Sequence, residues 1–108
     1  MVQSHAGTAV TLINVFTVDP ADQQRLVDLL TRATEGIVDR AKGFISATLH
    51  RSVDGKKVAM YAPWRSAEDY QAMRDDPRPL PFLEEALKFA RFEPGMYESV
   101  RSFRPPAG

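Results

Sequence analysis

Apolar residues alternate with other residues in two stretches of the chain, as they do in β-strands. Residues 8–18 (T-A-V-T-L-I-N-V-F-T-V) are rich in β-branched and aromatic side chains and stop at Asp19-Pro20, which predicts a buried strand. Residues 56–64 predict another strand, which ends at the single tryptophan, Trp64. Because successive side chains point to opposite faces of a strand, each strand has one face of interest: Val10, Leu12, Asn14 and Phe16 in the first, and Val58, Met60, Ala62 and Trp64 in the other.

Three segments have helical patterns. Asp19 suits an N-cap and Pro20 the first helical position, so a long amphipathic helix is predicted from there to about Lys42, ending at Gly43. Its apolar stripe, at spacings of three and four, is Leu26, Leu29, Leu30, Ala33 and Ile37. Ser66 is the predicted N-cap of a short helix that carries Tyr70 and Met73. A third helix is predicted to begin at Pro81, with an apolar side formed by Phe82, Leu83, Ala86, Leu87 and Ala90.

The remaining segments complete a sheet. Residues 44–52 and 56–64 flank Val53-Asp54-Gly55, and Asp-Gly is typical of the tight turn of a β-hairpin. Glu93-Pro94-Gly95 predicts a turn, and residues 96–103 predict the last strand. The order strand, helix, strand, strand, helices, strand predicts an α+β fold of the ferredoxin-like, split βαβ type. Its four-stranded antiparallel sheet would have helices on one face.

The helix-free face of this sheet would expose apolar area to water. We expect that face to carry Ile13, Val15, Ile45, Ala47 and Leu49. Packing two copies face to face would cover them, so a symmetric homodimer is predicted. We expect a single domain over residues 8–104, with flexible termini at 1–7 and 105–108.

The composition excludes several functions. Fourteen basic and fourteen acidic residues cancel, so no net charge attracts the chain to nucleic acid or to an anionic membrane. The absence of cysteine excludes disulfides, thiolate nucleophiles and cysteine-rich metal sites. The first residues have no signal-peptide pattern, and no apolar run approaches about 20 residues. A soluble, cytoplasmic protein is expected.

The candidate chemistry centres on the corner between a strand and a helix, where Trp64 and Tyr70 would line an apolar pocket. Asn14 interrupts an apolar strand face, and a carboxamide there costs on the order of 1–3 kcal/mol unless it is hydrogen-bonded. Asn14 is therefore either a site residue or a strand asparagine satisfied by a neighbouring loop. His50 is either a general base or an edge or interface histidine.

Four segments resemble the antibiotic biosynthesis monooxygenase family: T-L-I-N-V-F-T-V-D-P, G-F-I-S-A-T-L-H-R-S-V-D-G, V-A-M-Y-A-P-W-R-S-A-E-D-Y and F-E-P-G-M-Y-E-S-V-R-S-F. The resemblance extends from about Val10 to Phe103. It implies a dimeric α+β barrel in which each subunit holds a flat polycyclic phenol between sheet and helices. It further implies oxidation of an anthrone or hydroquinone to a quinone by molecular oxygen, with no metal or flavin.

The resemblance also implies site residues. Asn14 and Trp64 match the catalytic positions, and Tyr70 matches the helix tyrosine at the substrate. We expect the other substrate-binding side chains to be Leu12, Phe16, Met60, Met73 and Phe82.

Met60 departs from the family pattern, because these oxygenases read N-Y-A-Q-W where this chain reads M-Y-A-P-W. A thioether cannot polarise a carbonyl, so the alternative function is a non-catalytic dimeric protein that binds aromatic metabolites. A haem-degrading relative would need an axial histidine after the tryptophan, and residues 65–91 contain none. Haem is therefore not expected, and the resemblance implies that no cofactor is used. Three arginines are candidates to pair with a substrate carboxylate: Arg51, Arg78 and Arg101.

Overall fold

One antiparallel sheet organises the chain. A computed structural model describes residues 9–107, and within them five strands pair in the order β2-β3-β1-β4, with β5 also on β1. The strands are β1 (Val10–Val18), β2 (Thr48–Arg51), β3 (Lys57–Trp64), β4 (Ala90–Glu93) and β5 (Met96–Tyr97). The helices are α1 (Gln23–Thr34), α2 (Ala67–Arg74) and α3 (Leu80–Ala86). The predicted ferredoxin-like α+β fold is confirmed, with one strand more than expected. The predicted flexible segment 1–7 and residue 108 lie outside the described residues.

The register between β1 and β3 brings the two faces of interest together. Val10 is opposite Trp64, Asn14 is opposite Met60, and Phe16 is opposite Val58. Directly opposed residues of an antiparallel pair point to the same side of the sheet. The predicted alternation in both strands is confirmed, and this common face is the one that the helices cover.

Two groups of buried residues fill the space between sheet and helices. The first, which we call the α1–α3 cluster, contains Phe16, Val18, Leu26, Leu29, Leu30, Val58, Ala86 and Ala90. The second, which we call the tryptophan cluster, contains Val10, Leu12, Ala62, Trp64 and Tyr70. Residues from β1 and β3 belong to both, so a single sheet supports two differently built parts of the core.

The long helix ends earlier than predicted. α1 stops at Thr34, and a 3-10 turn over Val38–Arg40 replaces the expected last turns. Gly36 has a φ of +78°, which a glycine adopts without a steric penalty and which favours the end of a helix. Gly43, the predicted end, also has a positive φ, but it ends the connecting segment instead. Ile37 is therefore not part of the helical stripe.

The end of the chain also differs from the prediction. α3 spans Leu80–Ala86, and Ala90 begins β4 instead of ending a helix. The predicted strand 96–103 shortens to Met96–Tyr97, which pairs with Leu12 and Thr11. Because β5 runs antiparallel to β1 and pairs close to its first residue, β1 offers no partner beyond this point. Residues 98–107 have no regular structure and are exposed.

The strand before the hairpin turn is shorter than predicted, and its alternation is broken. Phe44 bridges Trp64, residues 45–47 are irregular, and β2 begins at Thr48. The interruption shifts the pattern, so that Leu49 is opposite Met60 and lies on the helix side. Ala47 and Leu49 were therefore wrongly predicted on the helix-free face.

The rest of the helix-free face agrees with the prediction. Ile13 and Val15 lie on it, opposite Tyr61 and Ala59, and Ile45 is 56% exposed.

No helix among the described residues has the length and apolarity that crossing a membrane would require.

Candidate active site

A cavity of about 170 Å³ lies between the sheet and the helices. This is large compared with the roughly 15 Å³ that one water needs by a similar measure. The sheet and the segment before β2 line it with Leu12, Asn14 and Phe16 of β1, Met60, Ala62 and Trp64 of β3, Phe92 of β4, and Phe44 and Ala47. α1 and the turn after it contribute Leu30, Ala33, Thr34 and Val38. α2, α3 and the loop between them contribute Tyr70, Met73, Arg74, Asp76, Pro79, Leu80 and Leu83.

Most of the predicted site residues share this cavity. Asn14, Trp64, Tyr70, Met60, Phe16, Leu12 and Met73 line it. Phe82 is not part of this lining and packs against the α1–α3 cluster. α3 presents Leu80 and Leu83 to the cavity, and side chains three apart lie on the same face of a helix. The intervening Phe82 points elsewhere.

The rings of Phe44, Trp64 and Tyr70 form one wall. Trp64 is 1% exposed and meets Phe44 edge-on at 5.5 Å between ring centroids. It meets Tyr70 at 5.6 Å and 72°. Edge-to-face pairs of this kind are worth about 0.5–1.5 kcal/mol beyond their buried area, so both neighbours hold the indole in place.

The cap of α2 positions Tyr70. The Ser66 hydroxyl accepts a hydrogen bond from the Asp69 backbone N–H at 3.1 Å, which confirms the predicted N-cap. Ser66 is itself buried and follows Trp64 by two residues. The cap therefore fixes the start of the helix, and with it Tyr70 one turn later, against the end of β3.

A hydrogen bond links Tyr70 to Arg74, which the sequence reasoning missed. The Arg74 guanidinium donates from Nη1 to Tyr70 Oη at 3.0 Å. Because Oη accepts this bond, the phenolic hydrogen is free to donate to a molecule in the cavity. The spacing of four residues on one helix was the available signal.

Asn14 has unused hydrogen-bonding capacity. Its side chain lines the cavity, and its Oδ1 is buried with no hydrogen-bond partner among the described residues. A buried acceptor without a partner costs about 1–3 kcal/mol. The alternative from the sequence, an asparagine satisfied by a neighbouring loop, is not what the described part of the chain shows.

The charged groups of the lining are Arg74 and Asp76. Asp76 accepts hydrogen bonds from Arg78 through both carboxylate oxygens, with 2.6 Å between Nη2 and Oδ2 and 3.1 Å between Nε and Oδ1. These bonds, and one from the Arg78 backbone N–H, lower the pKa of the Asp76 carboxyl. Asp76 is therefore ionised at neutral pH and already paired.

Other candidates from the sequence lie away from the cavity. His50 is opposite Ala59, on the helix-free face. Arg51 donates to Gln24, and Arg101 lies over the Phe103 ring. Among residues 9–107 no group of three or more histidine and acidic side chains is placed to bind a metal ion.

Several lining residues were not predicted. Phe44 and Ala47 were missed because an unbroken strand was assumed before the hairpin turn. Phe92 was missed because β4 was not expected as a strand. Phe92 stacks on Phe16 at 4.6 Å, so β4 contributes an aromatic ring to the end of the cavity nearest the α1–α3 cluster.

Comparisons with known proteins relate this geometry to a family. Residues 9–79 match the model of a family described as antibiotic biosynthesis monooxygenase. The chain is 43% identical over 93 residues to the tetracenomycin-F1 monooxygenase of Streptomyces glaucescens, an alignment that covers 86% of this chain and 83% of that protein.

Solved structures have the same fold. The monooxygenase ActVA-Orf6 of Streptomyces coelicolor, in complex with nanaomycin D, superposes with a TM-score of 0.80 at 28% identity, covering 92% of this chain and 94% of that one. SnoaB of Streptomyces nogalater, a cofactor-independent oxygenase, gives a TM-score of 0.77 at 23% identity, covering 91% of this chain and 99% of that one. At that lower identity the likeness shows the fold alone.

Proposed function

We propose that this chain, which belongs to the antibiotic biosynthesis monooxygenase family, is a cofactor-independent monooxygenase. Its substrate would be an anthrone or hydroquinone ring of a polycyclic aromatic compound, oxidised to a quinone by molecular oxygen. The observation that carries the proposal is the cavity itself, where the Asn14 side chain, with its unpaired carbonyl oxygen, and the Trp64 ring line one mostly apolar space.

The cavity suits a flat aromatic ring. Rings of Trp64, Tyr70 and Phe44 line it on one side, and Phe16 and Phe92 line it near the α1–α3 cluster. Aromatic rings favour offset-stacked and edge-on contacts with other rings. The polar groups available to a ligand are few, which is typical of sites that select a ligand by shape and fix its orientation with one or two hydrogen bonds.

The reaction needs little from the protein. An anthrone loses a proton from its methylene carbon, and the resulting anion passes one electron to oxygen. The radical and superoxide combine at that carbon to form a C–O bond. The peroxide anion takes up a proton; loss of the second methylene proton then forms the carbonyl and cleaves the O–O bond, and the departing hydroxide takes up that proton to give water. The protein accelerates this sequence by stabilising the anion and excluding bulk water.

Asn14 is the group proposed to stabilise the anion. Its amide can donate to the substrate oxygen on which the charge develops, and a rotation of the amide exchanges donor and acceptor. Asn14 is directly opposite Met60, so the Cβ atoms of the two residues are about 5 Å apart. The Asn14 amide is therefore next to position 60, where the resemblance implies a second asparagine.

Met60 supports the alternative function. With a thioether in place of that second amide, the cavity has fewer donors for a developing anion, while a polarizable sulfur still favours contact with aromatic rings. A protein that binds an aromatic metabolite without turnover would need no more than this.

Oxygen uptake by metal-free protein with dithranol, an anthrone, tests the proposal. We expect turnover that falls by at least about tenfold in Trp64→Ala and in Asn14→Ala, since each group stabilises the transition state by more than about 1.4 kcal/mol. Val53→Ala is the matched control, because Val53 is fully exposed in the hairpin turn. Dithranol binding without oxygen uptake would establish the alternative function, and rates unchanged by both site substitutions would contradict the proposed site.

A symmetric homodimer is the second part of the proposal. Its support is the helix-free face, where Tyr61 is 45% exposed and Tyr97 is 53% exposed, close to the half-buried Ile13 and Val15. Sedimentation should give a dimer for the natural chain and a monomer for Tyr61→Glu, because a charge on this face cannot be buried without a partner. A natural chain that sediments as a monomer would contradict it.

A further inference from the structure

Arg74 differs from the other arginines around the cavity. It lines the cavity at the last residue of α2, with its guanidinium carbon 5.9 Å from the centre of the Tyr70 ring. Arg78 and Arg65 are held by Asp76 and Asp69. Among residues 9–107 Arg74 forms no ion pair with a carboxylate. The rim of an apolar cavity therefore carries a positive charge whose described partner is a neutral hydroxyl.

The guanidinium has donors to spare. It carries five N–H groups in a planar fork, and the bond to Tyr70 Oη uses one of them. That bond also anchors the end of a long side chain, which reduces the conformational entropy lost when a ligand binds. The pair of N–H groups on one edge of the fork matches the two oxygens of a carboxylate.

We propose that Arg74 recognises a carboxylate group on the aromatic substrate. This inference rests on the proposed function, because it names a substituent of the ring that occupies the same cavity. The rings contact Trp64 and Phe44 in the apolar interior, and the carboxylate stays at the solvent-exposed rim, where its desolvation is incomplete. Asp76 does not pair with Arg74 in the structure, and Arg78 donates to both of its oxygens.

A matched pair of ligands tests this inference. Rhein and aloe-emodin share a dihydroxyanthraquinone ring system and differ in one substituent, a carboxylate in rhein and a hydroxymethyl group in aloe-emodin. At low salt we expect the protein to bind rhein about fivefold more tightly, a difference of about 1 kcal/mol and the size typical of a partly exposed ion pair. The preference should shrink as salt is added, because exposed charges are screened.

Three variants test whether Arg74 causes the preference for rhein. Arg74→Gln should abolish the preference, so that this variant binds rhein and aloe-emodin with equal affinity, and Arg74→Lys should retain part of the preference, because a point charge lacks the fork. Arg32→Gln is the control for net charge, since Arg32 is exposed on α1 and does not line the cavity. This control should preserve the full preference.

The outcomes separate this inference from the function on which it depends. Equal affinity of the natural chain for both ligands, or an undiminished preference in Arg74→Gln, would overturn the role of Arg74 and leave the aromatic cavity intact. Binding of neither ligand would overturn the aromatic-binding function, and the inference with it.

Discussion

The two parts of the core differ in how much empty space and how many unused hydrogen-bonding groups their packing leaves. In the α1–α3 cluster, Leu26, Val58 and Ala86 are fully buried, and the members are all apolar. The tryptophan cluster is equally buried at Trp64, but all its members except Val10 line the cavity of about 170 Å³, whereas Phe16 and Leu30 are the members of the α1–α3 cluster that reach it. Asn14, Tyr70 and Arg74 keep hydrogen-bonding capacity there. Wholly apolar packing is concentrated at one end of the sheet, and the groups that can act on a ligand are concentrated at the other.

The largest effect expected from this comparison is on stability. Leu26→Ala should lower the free energy of unfolding by about 2–5 kcal/mol, because a fully buried leucine leaves a cavity that its neighbours fill only in part. Chemical denaturation measures it. Ligand affinity of the folded variant should change little, and a large loss of affinity would show that the two parts of the core are not separate.

A smaller loss of stability is expected at the cavity. Met73 is half-buried and borders existing empty space, so Met73→Ala should cost about 1 kcal/mol, less than a core truncation. Its effect should appear instead as weaker binding of aloe-emodin, measured by calorimetry. A destabilisation as large as that of Leu26→Ala would contradict the distinction.

The smallest effect concerns pH. Arg78 lowers the pKa of Asp76, so this carboxylate stabilises the fold at neutral pH. The contribution is fully present above the ordinary carboxyl pKa and is lost as the pH falls through the lowered pKa. The Tm of Asp76→Asn should be slightly below that of the natural chain at neutral pH, and the two should converge in acid. A constant difference across that range would exclude this ion pair as the cause.

The sequence predicted the parts of the fold that depend on local patterns. Strand alternation placed Asn14, Met60 and Trp64 on one face, and the register confirmed it. The sequence patterns could not predict where a helix would end early or where a strand would be interrupted. Gly36 ended α1 although the apolar stripe continued to Ile37, and the irregular residues 45–47 reversed the faces assigned to Ala47 and Leu49.

The candidate site, like the fold, could be predicted from the sequence only in part. Asn14, Trp64 and Tyr70 could be chosen from the sequence because each stands out in an apolar pattern or matches a family position. The spacing of four residues signals the hydrogen bond between Tyr70 and Arg74, but the placement of Arg74 at the cavity depends on how α2 docks and could not be predicted. Tertiary contacts of this kind leave no periodic signal.

Asn14→Leu tests the central claim most directly, because leucine has a similar size and removes the unpaired acceptor. If the amide is kept for a ligand, the variant should be more stable by about 1–2 kcal/mol and should lose at least about tenfold in oxygen uptake with dithranol. A variant that is less stable than the natural chain and oxidises dithranol at the same rate would contradict the claim, and would make Asn14 a structural residue.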